Sequence, residues 1–156
     1  KFTDLALKTL DAGADMLEIG FPFSDPLADG PTIQYSSQAA LDNGINLEIT
    51  FNYINKIREK TDKPIILMGY GNPVLAFGRK KFADYCIKTG VNGLIVPDVP
   101  IDEYEDFFCN VFNETEIILL ATPTTSEERL KKIRSIFAYC RVGLSGFRLV
   151  KQSRPR

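Results

Sequence analysis

The sequence predicts an α/β fold built on a parallel sheet, and three features of its 156 residues point there. Short apolar runs recur at wide spacing, each bounded by glycine or proline, which is the pattern of strands buried on both faces. Segments with apolar residues at helical spacing fill the gaps, so strand and helix alternate. A glycine-marked turn is also repeated. Gly13-Ala14-Asp15-Met16-Leu17 and Gly90-Val91-Asn92-Gly93-Leu94 share one order of helix end, glycine and strand start.

Taken in order, Phe2 to Asp11 places Leu5, Ala6, Leu7 and Leu10 near helical spacing, and Gly13 follows where a helix would stop. Met16 to Phe21 is an apolar run interrupted by one acid, Glu18, and reads as a buried strand. Leu41 to Lys60, with Leu47, Ile49, Phe51, Ile54 and Ile57, reads as a single helix. Ile65 to Tyr70 is the next strand, Ala83 to Thr89 a helix capped by Gly90, and Gly93 to Val96 a third strand. Tyr104 to Phe112 is a helix and Ile117 to Ala121 a fourth strand. Another helix opens at Ser126-Glu127-Glu128-Arg129, with Ser126 or Thr125 as its cap and acids placed to suit the helix dipole. Residues 1–140 are expected to form one domain. From Arg141 to Arg156 the hydrophobic periodicity is lost, and a poorly ordered tail is expected.

Composition narrows the function. The 19 Lys and Arg nearly balance the 20 Asp and Glu, so no electrostatic footprint for nucleic acid or an anionic membrane is present. No apolar run approaches a membrane span. Histidine is absent, which removes the Ser-His-Asp triad, the Cys-His dyad and the HExxH zinc site. Cys86, Cys109 and Cys140 lie far apart and form no CxxC, so a cytoplasmic, reducing compartment is expected, with no metal site. Proton chemistry then falls to carboxylates, Tyr, Lys or Cys.

The richest stretch runs from Leu17 to Gln34. Glu18 sits between Leu17 and Ile19 in a strand, where partial desolvation would raise its pKa toward the range useful for proton transfer. A loop dense in Pro, Gly and Asp follows, stiff enough to hold a second carboxylate, for which Asp29 is the candidate. Two acids in different environments can divide acid and base work without histidine. Two plainer readings stand beside this one: an Asp in such a loop is often a turn former, and a lone strand Glu often faces solvent.

The run Glu18-Ile19-Gly20-Phe21-Pro22-Phe23-Ser24-Asp25-Pro26-Leu27-Ala28-Asp29-Gly30-Pro31-Thr32-Ile33-Gln34 closely resembles the signature of the tryptophan synthase alpha subunit family. Leu67 to Pro73 resembles that family's third-strand motif, Val96 to Pro100 its fourth, and Leu119 to Thr125 its fifth strand and loop. The resemblance covers Lys1 to about Tyr139. It implies an incomplete (β/α)8 TIM barrel, roughly strands two to six with their helices. It implies a lyase of the tryptophan biosynthesis pathway that splits indole-3-glycerol phosphate into indole and glyceraldehyde 3-phosphate. On this resemblance Glu18 is the acid/base, and Asp29 bonds the indole N–H. Met68, Tyr70, Ile95, Leu120 and Tyr139 match positions lining the indole pocket, with inward barrel filler an equal reading for Ile95 and Leu120. Pro22, Asp25, Asn72, Asp98 and Pro100 match the surface that docks on a beta subunit in an α2β2 assembly. Pyridoxal phosphate is expected only on that beta partner, and no cofactor on this chain.

A complete barrel of this type needs about 250 residues. The segment is expected to begin near the helix after the first strand and to stop around the sixth. Arg141-Val142-Gly143-Leu144-Ser145-Gly146-Phe147-Arg148 departs from the family's sixth-strand loop, and Gly143 and Gly146 are too weak a signal for a phosphate cradle. A weakly active or inactive lyase fragment is therefore the leading expectation. The alternative is a non-catalytic piece that only docks on a beta subunit, and another phosphate-handling barrel is a third reading.

Overall fold

The computed structural model describes residues 1–139. It divides into two compact units, one from Lys1 to Leu120 and a second beginning at Ala121. The first contains four parallel strands in the order β1 (Leu17–Gly20), β2 (Ile65–Met68), β3 (Gly93–Ile95) and β4 (Glu116–Ile117). Its helices are α1 (Phe2–Asp11), α2 (Pro31–Asp42), α3 (Leu47–Arg58), α4 (Gly71–Phe77), α5 (Arg79–Thr89) and α6 (Tyr104–Phe108), the last preceded by a 3-10 turn at Ile101–Glu103. The parallel α/β architecture read from the alternation is present.

Register assigns the two faces of the sheet. Glu18 pairs with Ile66, Gly20 with Met68, Ile66 with Gly93 and Met68 with Ile95, so these residues share one face. Gly93 carries no side chain there, and the tips of Ile66 and Ile118 fill the space a Cβ would take. On the opposite face Leu17, Ile19, Ile65, Leu67, Leu94 and Ile117 are all buried. The helix layer, in which α3 contacts both α1 and α5, adds Phe51, Ile54, Ile57, Phe82 and Cys86 to this core. Phe51 and Phe82 meet edge to face at 5.2 Å, and Phe82 also touches Phe21 just beyond β1 at 5.7 Å.

The repeated glycine turn is real, and it occurs a third time. Behind α1 the Ala14 N–H bonds the Thr9 carbonyl, and behind α5 the Val91 N–H bonds that of Cys86, the signature of a Schellman cap with Gly13 and Gly90 at positive φ. The Ile45 N–H bonds the Ala40 carbonyl in the same way, with Gly44 at φ 78°. That third cap corrects the expectation of one helix from Leu41 to Lys60. Gly44 ends α2, and the Asn46 side chain, accepting from the Ile49 N–H at 2.9 Å, starts α3.

At the strands' N-terminal edge, Lys63 Nζ donates to the Leu10 and Ala14 carbonyls. Arg58 donates to the Gly90 carbonyl and to Asn92 Oδ1, which also accepts from the Ile65 N–H. These long cations tie the ends of α1 and α5 to the strands.

The second unit holds α7 (Glu127–Tyr139). Of the two expected caps, Ser126 accepts from the Arg129 N–H, while Thr125 accepts from the Thr122 N–H instead. Phe137-Ala138-Tyr139 close this helix, as the helical spacing of Leu130, Ile133 and Phe137 in the sequence allows. The expected tail, Arg141 to Arg156, lies outside the described residues.

Candidate functional site

Because all four strands run parallel, the loops that follow them gather at one edge of the sheet, where open α/β folds collect ligands. Residues 21–30 after β1, Gly69-Tyr70 after β2 and residues 96–100 after β3 meet there. A cleft of about 580 Å³ opens at this edge. Glu18 from β1 and Asp29 from the loop both border it, together with Met68, Tyr70 and Phe23.

Glu18 lies on the face shared with Met68 and Ile95, opposite the buried Leu17 and Ile19. The partial desolvation expected of it is not found: Glu18 is exposed. Its nearest neighbour on that face along β1 is Gly20, which has no side chain to cover the carboxylate. Asp29 is half-buried and held from two directions. Tyr70 donates its hydroxyl proton to Asp29 Oδ2 at 2.9 Å and accepts from the Ala28 N–H at 3.1 Å. The Asp29 carbonyl accepts from the Gln34 side-chain amide. Burial, then the hydrogen bond to the Asp29 carboxylate and its negative charge, push the Tyr70 hydroxyl above its ordinary pKa.

Of the remaining candidates, Met68 is half-buried and lines the cleft. Ile95 is buried on the same face of the sheet without bordering the cleft, and Leu120 is 53% exposed at the end of the first unit. Tyr139 is the last residue of α7, and its side chain lies outside the described residues. Among the described residues no group of three or more Cys, Asp or Glu is gathered to hold a metal ion. No helix among them is long and apolar enough to cross a membrane.

A family model described as tryptophan synthase alpha chain matches residues 2–148. The chain belongs to the tryptophan synthase alpha chain family. The alpha chain of Petrotoga mobilis is 45% identical over 141 residues, covering 88% of this chain and 55% of that protein. The alpha chain of Flavobacterium johnsoniae is 48% identical over 126 residues, covering 80% and 50%. Among solved structures, tryptophan synthase subunit alpha from Legionella pneumophila superposes with a TM-score of 0.80 at 36% identity, over 85% of this chain and 51% of that one. A Pyrococcus furiosus structure described as a tryptophan synthase α2β2 complex superposes with a TM-score of 0.79 at 37% identity, over 86% and 58%. The chain thus spans about half the length of the relatives it matches, and its fold is that of an incomplete alpha-chain barrel.

The five positions matched to the family's docking surface fall on the same edge of the sheet. Pro22 is half-buried and borders the cleft, while exposed Asp25 accepts from the Ser24 hydroxyl. Asn72 is exposed in the first turn of α4, and Pro100 is exposed just before the 3-10 turn. Asp98 has a local duty: its carboxylate accepts from the Gly71 N–H, at 2.9 Å for Oδ1, and so caps α4.

The sequence reading missed α2 and what α2 does for the alpha-chain signature loop. Ser37 Oγ accepts from the Phe23 N–H at 2.9 Å and donates to the Phe23 carbonyl at 2.8 Å. The available signal was Pro31 at the first helical position and Gly44 after the last turn, since proline opens helices and glycine closes them.

Proposed function

We propose that this chain carries the acid/base site of an alpha-type lyase that cleaves indole-3-glycerol phosphate to indole and glyceraldehyde 3-phosphate. Glu18 delivers a proton to the indole ring carbon bearing the side chain and receives one from the adjacent glycerol hydroxyl. The bond between ring and glycerol carbon breaks, its electron pair returns to the ring, and the hydroxyl carbon leaves as the aldehyde. Asp29 accepts the indole N–H and offsets the positive charge that builds on the ring before cleavage. The observation that carries this reading is the common cleft bordered by Glu18, Asp29 and the apolar side chains of Met68 and Phe23. Tyr70, Ile95 and Leu120 complete the proposed indole-facing set. The chemistry asks for no cofactor on this chain.

Pro22, Asp25, Asn72, Asp98 and Pro100 are proposed to face a beta subunit, which would hold the pyridoxal phosphate. The α2β2 composition of the Pyrococcus furiosus relative supports this partner. The thiol of Cys86, buried and free, fits a cytoplasmic enzyme. Barrels of this kind grip substrate phosphate on loops after the seventh and eighth strands. The four strands described here carry no such loops, so the chain alone is expected to release indole feebly or not at all.

The site is tested by grafting residues 18–139 into a complete barrel of the family and exchanging Glu18→Gln. The amide keeps the shape but shuttles no proton, and kcat/KM for indole release should fall at least about a hundredfold. Retention of activity refutes the role of Glu18. The docking-only alternative is favoured if the grafted barrel binds a beta subunit but releases no indole before any exchange.

A further inference from the structure

We propose that Tyr70 is a positioning residue for Asp29, its hydroxyl fixing one carboxylate oxygen and the adjoining backbone so that the other oxygen is presented to the cleft. The inference rests on the reading of Asp29 as the acceptor of a ring N–H.

Prolines stiffen the backbone of the 21–30 loop, but they leave a carboxylate free to turn about its own two side-chain bonds. Tyr70 removes that freedom. Its ring is only 5% exposed and packs against Phe23, whose centroid lies 5.4 Å away, so the phenol is held by the same loop that it bonds. The hydroxyl has one proton and spends it on Asp29 Oδ2, while its oxygen accepts from the Ala28 N–H. Both polar ends of the contact are satisfied in one direction, from backbone amide to phenol to carboxylate. That direction leaves Oδ1 as the acceptor available to a ligand donor. The raised pKa of the phenol keeps the proton in place through the neutral range, so the bond does not reverse. Ser37 and Gln34 hold only the backbone of the loop, at Phe23 and Asp29. Among the described residues, Tyr70 is the hydrogen-bond partner of the Asp29 carboxylate.

The test uses the 156-residue chain and two readouts. In the first, tyrosine ionisation is followed by near-ultraviolet absorbance for the unsubstituted chain, Tyr70→Phe and Asp29→Asn. A late step should vanish in Tyr70→Phe and move to lower pH in Asp29→Asn, where the neighbouring charge is gone but the shape is kept. An unmoved step in Asp29→Asn overturns the proposal, and a purely packing role for Tyr70 predicts that result. In the second, binding of indole is followed by NMR. Both substitutions should weaken it about tenfold, the loss of one well-placed hydrogen bond. Weakening by Asp29→Asn without weakening by Tyr70→Phe overturns the positioning role and leaves the reading of Asp29 intact. Full binding by Asp29→Asn refutes that reading itself, whatever the titration shows.

Discussion

Residues 21–42 and the pair of helices α3 and α5 are held in place by opposite means. The α2 helix has no buried residue at all, and the loop before it leaves Leu27 89% exposed. That region hangs on directional bonds: Ser37 to both polar groups of Phe23, Gln34 to the Asp29 carbonyl, and Tyr70 to Ala28 and Asp29. By contrast α3 buries Leu47, Thr50, Phe51, Ile54 and Ile57, and α5 buries Phe82, Ala83, Cys86 and Thr89. There apolar area carries the load, and rings such as Phe51, Phe77 and Tyr85 lock together. The contrast separates scaffold from site. Each hydrogen bond is worth about 0.5 to 1.5 kcal/mol, and each large buried side chain about two to three times that. Global stability therefore resides in the helix layer, while the geometry around Asp29 depends on a few polar contacts that can open locally.

Three experiments sharpen or break this division. The largest effect is expected from Phe82→Ala, which removes a ring with 0% exposure from the centre of the aromatic cluster. Urea unfolding should show a loss of about 3 to 5 kcal/mol; a loss below about 1 kcal/mol would mean that the helix layer is not the seat of stability. Next comes alkaline pH. Burial pushes the Cys86 thiol up to about 12 from its ordinary 9.0, so above pH 9 the unfolded chain gives up this proton while the folded chain retains it. The folded state then binds more protons, and stability must fall as pH rises from 9 toward 12, by at most about 1.4 kcal/mol per pH unit from this group. Replacing Cys86 with Val should flatten that part of the slope in unfolding midpoints measured across the range. An unchanged slope would show that the thiol is not held neutral.

The smallest global effect is expected from Ser37→Ala. Its unfolding midpoint should move by no more than about 1 kcal/mol. Hydrogen exchange at the Phe23 amide, which loses its acceptor, should nonetheless quicken about tenfold. A large global loss instead would erase the distinction between the two regions.

Much of the scaffold was legible because its signals are local. The helix at Phe2–Asp11 was read with the bounds observed, and the glycine turns at 13 and 90 were recognised as one motif. The three longer strands were placed, β1 trimmed at both ends and β2 and β3 at their C-terminal ends alone, since apolar periodicity does not say where ladder pairing stops. Of the run Ile117 to Ala121 only Ile117 is in β4, which starts one residue earlier at Glu116, and Tyr104 to Phe112 shortens to the five residues of α6, with Asn110 at φ 64° beyond the helix. The polar α2 and the short α4 escaped notice because neither shows a strong apolar stripe, so their ends were the available clue. At the candidate site, chemistry and motif single out Glu18 and Asp29, but the sequence leaves Glu18 between a desolvated and a solvent-facing reading, because its exposure depends on what covers one face of β1.

The amino-acid order alone settled the parallel alternation of strand and helix, the turns that punctuate it, and the exclusion of histidine chemistry. These properties are written in windows of about ten residues, the range over which periodicity and capping act. The folded chain alone decided that Glu18 shares a face with Met68 and Ile95, and that Tyr70 reaches across 41 positions of sequence to hold Asp29. Strand register and a hydrogen bond between distant segments depend on how the whole sheet packs, which no local pattern encodes.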